Sequence, residues 1–228
     1  MMAPPPWLEP LFAIAFAFGV VSVTWLEAAA FGLSLAMVAC NIRVDALAWP
    51  LAIVASLLYL LLFWRSRLYG DAALQLLFVA VAVWGWWQWL RGTAADGTKL
   101  RVTWLGARGR IATAVAVALA WPATALLLHH STDTDVPWWD AFPTAASVVN
   151  QWLVGRKHVE SWAVWIVVNM VAATLFAYKG LWLTVLLYAV FVALSFVGWR
   201  AWARLAARPA PMRAPGGATA DAPAPRSL

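Results

Sequence analysis

The sequence predicts an all-α polytopic membrane protein. Its seven core helices form a 3+1+3 arrangement, two parallel three-helix repeats joined by a linker helix. Three observations carry this expectation. The chain is 64% hydrophobic and 11% charged, whereas a soluble domain is roughly half apolar and a quarter charged. Its apolar runs have membrane-crossing length and are separated by short polar turns. Shifted by 113 residues, the chain partly matches itself.

Residues 1–9 are Pro-rich, with Pro4, Pro5 and Pro6 in succession, and are expected to be disordered. From Leu11 to Ile42 the chain is almost all apolar, broken mainly by Glu27. As a helix this run would extend about 48 Å, more than the ~30 Å hydrocarbon core requires. It is read as a core helix over 24–42 preceded by an extra helical segment in an N-terminal extension, residues 1–23. The polar turn Asn41-Ile-Arg43-Val-Asp45 follows.

Helix two is expected over 49–64, with Pro50 in its first turn, where proline is tolerated. Gly70-Asp71 stops one helix and starts another, and helix three covers 72–90. These three helices make a first repeat, 24–90. A basic loop over 91–110 carries Arg91, Lys99, Arg101, Arg108 and Arg110 against Asp96. With helix four, 111–128, it forms the linker region 91–128, and Pro122 is expected to kink that helix.

His129, His130, Asp133 and Asp135 are read as an outer loop that ends at Pro137-Trp138-Trp139-Asp140. The second repeat, 137–203, holds helix five (141–155), helix six (160–177) and helix seven (182–203). The tail, 204–228, is Ala, Pro, Gly and Arg, too poor in apolar bulk to pack, and is expected to be disordered.

Seven crossings put every Lys and Arg except Arg65, Arg67 and Lys179 on one side. The positive-inside rule makes that side, and with it the C-terminus, cytoplasmic. Net charge is +6, but no basic stripe has aromatic interleaving, so the partner is anionic lipid and not nucleic acid. The one cysteine, Cys40, excludes a disulfide framework. The eighteen tryptophans exceed what interfacial belts alone would require.

In the 113-residue self-match, Trp25 falls on Trp138, Glu27 on Asp140, Ser34 on Ser147 and Arg43 on Arg156. Trp49 falls on Trp162, Gly85-Trp86 on Gly198-Trp199, and Trp89 on Trp202. Four helices separate equivalent positions, so the repeats share one orientation, a plan used by transporters with substrate near the midplane.

The repeat also isolates what differs. Trp162, Trp165 and Asn169 share one helical face at i, i+3 and i+7. Trp165 and Asn169 fall on Ala52 and Ser56, so the Trp-x-x-Trp-x-x-x-Asn constellation occurs only in the second half. An unpaired amide in hydrocarbon is costly, so Asn169 should face protein or a cavity. Two readings stand on the residues alone. One is a site for a flat, polar, cationic ring held by indole faces; the other is a packing face with an interhelical amide bond. Gln75, Asn150 and Gln151 are the other intramembrane amides, suited to sugar hydroxyls or to helix contacts. Tyr59 and Tyr188 are further candidates beside the aromatic-packing alternative.

The sequence resembles the PnuC-type nicotinamide riboside transporter family over nearly all of residues 24–203. The likeness rests on Trp25-Leu-Glu27, Leu68-Tyr69-Gly-Asp71 followed by Leu74-Gln75, and Gly85-Trp86-Trp87-Gln-Trp89. Arg156-Lys157-His-Val-Glu160-Ser-Trp162, leading to Trp165 and Asn169, and Tyr178-Lys-Gly-Leu-Trp182 complete it. One departure is Trp84 before Gly85, where the family suggests Tyr.

The resemblance implies a SWEET-like fold, a homotrimer in the bacterial inner membrane, and uptake of nicotinamide riboside for NAD biosynthesis. Transport would be facilitated diffusion with trapping by phosphorylation. It associates Trp162, Trp165 and Asn169 with the riboside branch. Relatives with altered motifs carry thiamine or other vitamins. No cofactor is implied.

An embedded enzyme is the competing class. It would need a nucleophile with a base, or metal ligands within reach. His129, His130 and His158 are all read in loops, and neither His-Glu-x-x-His nor Gly-x-Ser-x-Gly occurs. No helix carries the charged relay of a proton-coupled pump.

Overall fold

The computed structural model describes residues 9–18, 21–65, 69–94, 96–131, 136–178 and 182–208. The expected disorder of residues 1–8 and of the tail beyond 208 lies outside these, as do Asp133 and Asp135. Among the described residues seven α-helices follow one another: α1 (Trp25–Ile42), α2 (Ala48–Arg65), α3 (Tyr69–Arg91), α4 (Ala107–Ser131), α5 (Pro137–Gly155), α6 (Glu160–Tyr178) and α7 (Trp182–Ala206). Five of them, α1, α2, α4, α6 and most of α7, are long and apolar enough to cross a membrane.

The N-terminal extension departs from the expected helix. A 3-10 turn at Glu9–Phe12 leads into two antiparallel strands, β1 (Ile14–Phe18) and β2 (Val21–Thr24). An apolar run does not by itself separate helix from strand. Here Ile14, Phe16, Phe18, Val21 and Val23 favour the extended form. Thr24 then sets the start of α1. Its hydroxyl accepts from the Glu27 amide, and the Glu27 carboxylate accepts from the Thr24 amide at 2.8 Å, a reciprocal capping box.

The expected outer loop is helical at both edges. His129 and His130 form the last turn of α4, not a loop. Trp138, Trp139 and Asp140 form the first turn of α5, because Pro137 is pre-organised for N1 and Asp140 suits the helix N-terminus. α4 runs through Pro122. Arg204 belongs to α7 and not to the tail.

α1 packs on α2 and α2 on α3, while α5 packs on α6 and α6 on α7. α4 leans on α5, α3 also meets α5, and α1 meets α7. Outward faces are apolar, as lipid contact requires: Leu57, Leu76, Leu119, Leu127, Met170 and Leu186 are all exposed. Exposed tryptophans collect near helix ends, with Trp25, Trp64, Trp138 and Trp139 at one end of the bundle and Trp87, Trp104 and Trp152 at the other. That is the distribution of interfacial belts.

Positions related by the 113-residue shift take the same local geometry. Val44 and Lys157 both have φ of 59°, and each turn is closed by the same amide bonds. Asp45 donates to Cys40 and His158 to Leu153, both at 2.9 Å. Val44 donates to Asn41 and Lys157 to Val154, both at 3.0 Å.

Candidate functional site

The α6–α7 seam is antiparallel and repeats every seven residues. Trp162 meets Trp202 with centroids 5.6 Å apart, edge to face at 85°. Seven residues on along each helix, the Asn169 amide points at the Ser195 hydroxyl at 3.5 Å. Seven further, Phe176 meets Tyr188 at 5.1 Å. The α2–α3 seam begins the same way, with Trp49 and Trp89 at 5.5 Å and 85°. At the next shift-related level it offers Ser56 and Ala82 in place of Asn169 and Ser195.

Asn169 is 7% exposed and Ser195 3%. Ser195 spends its proton on the Phe191 carbonyl at 2.7 Å, so it is an acceptor for the Asn169 amide. A 3.5 Å approach sits at the outer limit of a hydrogen bond, and leaves Asn169 able to bond a closer partner. Trp165, one turn from Asn169, is half-buried against the tryptophan cluster.

Tyr59 and Tyr188 lie near each other across α2 and α7. Tyr59 also stacks on Phe63 at 5.9 Å. Gln75 and Gln151 are half-buried on α3 and α5.

Two expected site residues also tie helices together. Asn150 is fully buried, and its Nδ2 donates to the Ser161 carbonyl at 3.0 Å, tying α5 to α6. Trp162 is 4% exposed, its ring flat on Gly198 and its edge on Trp202. The geometry therefore groups Trp165 with Asn169 on α6, and Tyr59 with Tyr188 one level further along.

The basic loop is stapled to the start of α6, which the sequence did not suggest. The Glu160 carboxylate accepts the Leu105 amide at 3.0 Å and Arg110 Nε at 2.9 Å. Thr103 pairs with the α5–α6 turn through Lys157 and Val159, both at 3.1 Å. Arg156 reaches Gln88 at 3.2 Å, and Lys157 lies 4.9 Å over the Trp89 ring. Burial lowers the pKa of Lys157. Burial likewise lowers that of His158, and Glu160 opposes the shift. Among the described residues no group of His, Cys, Asp and Glu could hold a metal ion.

Several long apolar helices, with an aromatic and amide seam inside them, define a polytopic membrane protein. The nicotinamide mononucleotide transporter family matches residues 24–204, and the chain belongs to that family. It is 31% identical to the riboflavin/roseoflavin transporter RibM of Streptomyces davaonensis, over 79% of this chain and 85% of that one. It is 25% identical to the nicotinamide riboside transporter PnuC of Escherichia coli, over 64% of this chain and 71% of that one. A crystal structure of the vitamin B3 transporter PnuC shares the fold, with a TM-score of 0.65 at 24% identity, covering 80% of this chain and 82% of that one.

Proposed function

We propose that this protein carries nicotinamide riboside across the bacterial inner membrane by facilitated diffusion, with phosphorylation trapping the solute inside. In this reading seven spans form a 3+1+3 bundle with parallel repeats 24–90 and 137–203, and the C-terminus is cytoplasmic. The observation that carries the substrate assignment is the loosely held Asn169 amide, one helical turn from the Trp165 indole, on the seam where the second half departs from the first. A pyridinium ring is attracted to an indole face by about 0.5–2 kcal/mol, and a carboxamide matches an Asn side chain as both donor and acceptor. Tyr59, Tyr188, Gln75 and Gln151 are the groups available to ribose hydroxyls, and Trp162 floors the site.

Homotrimer formation belongs to the same reading. Only 6% of the Ala107–His130 stretch is buried, which leaves the apolar face of Ile111, Val115 and Leu119 on α4 for other copies or for lipid.

The relation to a riboflavin transporter supports a second reading, in which the solute is a flavin. Its neutral ring system would stack on the same indole and pair its imide edge with Asn169. Binding to purified protein separates the two. Nicotinamide riboside should bind, and riboflavin, thiamine and the phosphorylated riboside should bind far more weakly. Tight riboflavin binding without riboside binding would transfer the site to the flavin.

A further inference from the structure

We propose that four tryptophans form a gate at the basic end of the bundle, held shut by two reciprocal hydrogen bonds between the repeats. The inference rests on the two-repeat transport reading, but not on which solute is carried. Trp49, Trp89, Trp202 and Trp162 make one continuous chain of rings, with centroids 5.5, 6.1 and 5.6 Å apart. All four are at most 8% exposed. Trp49 and Trp162 start α2 and α6, while Trp89 and Trp202 lie near the ends of α3 and α7. The chain therefore bridges α1–α3 and α5–α7 at the end that carries loop 91–110.

The bonds cross between repeats in both directions. Trp89 Nε1 donates to the Val154 carbonyl at 3.0 Å, and Trp202 Nε1 donates to the Asn41 carbonyl at 2.9 Å. Both donors and both acceptors are related by the 113-residue shift, so the two bonds are equivalents. Each acceptor is a carbonyl in the last turn of a helix that also takes a turn amide, from Val44 or from Lys157, and offers its second lone pair to the indole. Separating the repeats at this end breaks both bonds together.

The other two indoles act in the opposite sense. Trp49 Nε1 and Trp162 Nε1 are buried with no hydrogen-bond partner. An orphaned buried donor is a cost that only the closed arrangement carries, and opening would hydrate both. Two satisfied donors hold the gate and two orphans load it, so the closed state is stable without being deep. Gly85 and Gly198 let the loaded rings lie flat on the neighbouring helices, since a Cβ at either would overlap the ring.

Thiol accessibility tests this without any solute. In a Cys40→Ala background, Ser195→Cys lies one heptad beyond Trp202 on α7. Liposome-reconstituted protein is exposed at the loop 91–110 end to a membrane-impermeant cationic thiol reagent. Trp89→Phe and Trp202→Phe should each raise the labelling rate about fivefold, and the pair together about twenty-five-fold, as expected for lost hydrogen bonds of typical strength. Trp49→Phe removes the same ring volume but no bond, and should label at or below the parent rate. If the double variant does not fold, the two single variants carry the comparison. Parent-rate labelling in Trp89→Phe and Trp202→Phe overturns the lock, and so does an equal rise in Trp49→Phe. Failure of riboside binding would leave these rates unchanged and would bear only on the solute.

Discussion

The Trp162 indole lies flat on Gly198, so close that a Cβ at that glycine would come within 2.5 Å of its ring atoms. Trp49 stands on Gly85 in the same way. Adding one methyl group therefore displaces an aromatic ring from a packed seam, which typically costs about 1–3 kcal/mol. Gly198→Ala and Gly85→Ala should both lower the unfolding temperature in detergent, by similar amounts. A neutral Gly198→Ala would show that the seam repacks freely.

Asn169→Leu keeps the volume of the side chain and removes its amide. The partner left behind, Ser195, still has the Phe191 carbonyl to bond, so the fold should hold. Affinity for nicotinamide riboside should drop at least tenfold, consistent with about 1.5–3 kcal/mol for a hydrogen bond lost in a dry site. Calorimetry on the purified variant reads this directly, and wild-type affinity would remove Asn169 from the site.

Glu160 should matter more than its ion-pair partner. The Arg110 side chain is 57% exposed, and exposed pairs contribute roughly 0–1 kcal/mol. Glu160 also holds the Leu105 amide with both carboxylate oxygens. Glu160→Ala should therefore speed proteolytic cleavage of loop 91–110 severalfold, and Arg110→Ala much less. Equal cleavage rates would place the whole staple in the ion pair.

His158 gives the fold an acid sensitivity. Burial holds its folded pKa below the ordinary 6.5, so the unfolded chain binds the proton more readily. The stability that the neutral ring contributes is complete above about pH 6.5 and is lost as pH falls towards the lowered folded value. Melting temperature should decline from pH 7.5 to pH 5.5, and His158→Gln should flatten that decline. An identical slope in the variant would assign the effect to other groups.

Much of the architecture is legible in the residues. The helix positions follow from apolar run length and the polar turns, because a membrane span must satisfy its backbone within itself, but α3 takes in Gly70 and Asp71 and α5 takes in Pro137, which were expected outside the helices. The shift that aligns Trp49 with Trp162, Gly85 with Gly198 and Trp89 with Trp202 marks positions that take matching geometry in space. Ile14–Phe18 and Val21–Thr24 are strands where a helix is expected, because a short apolar run carries no period that separates strand from helix. The motif on α6 was legible as a face, but its division was not. Trp162 and Asn150 turn inward to other helices, and nothing local encodes which neighbour a side chain will meet.

By itself, the sequence determined membrane residence, the succession of helices and the 113-residue self-match, since all three follow from local hydropathy and from comparing the chain with itself. Only the tertiary structure decided which indoles share a cluster, which of their N–H groups find carbonyls across the bundle, and which are left without. Those outcomes depend on contacts between residues as far apart as Asn41 and Trp202, and packing of that kind is a property of the assembled helices and not of any one of them.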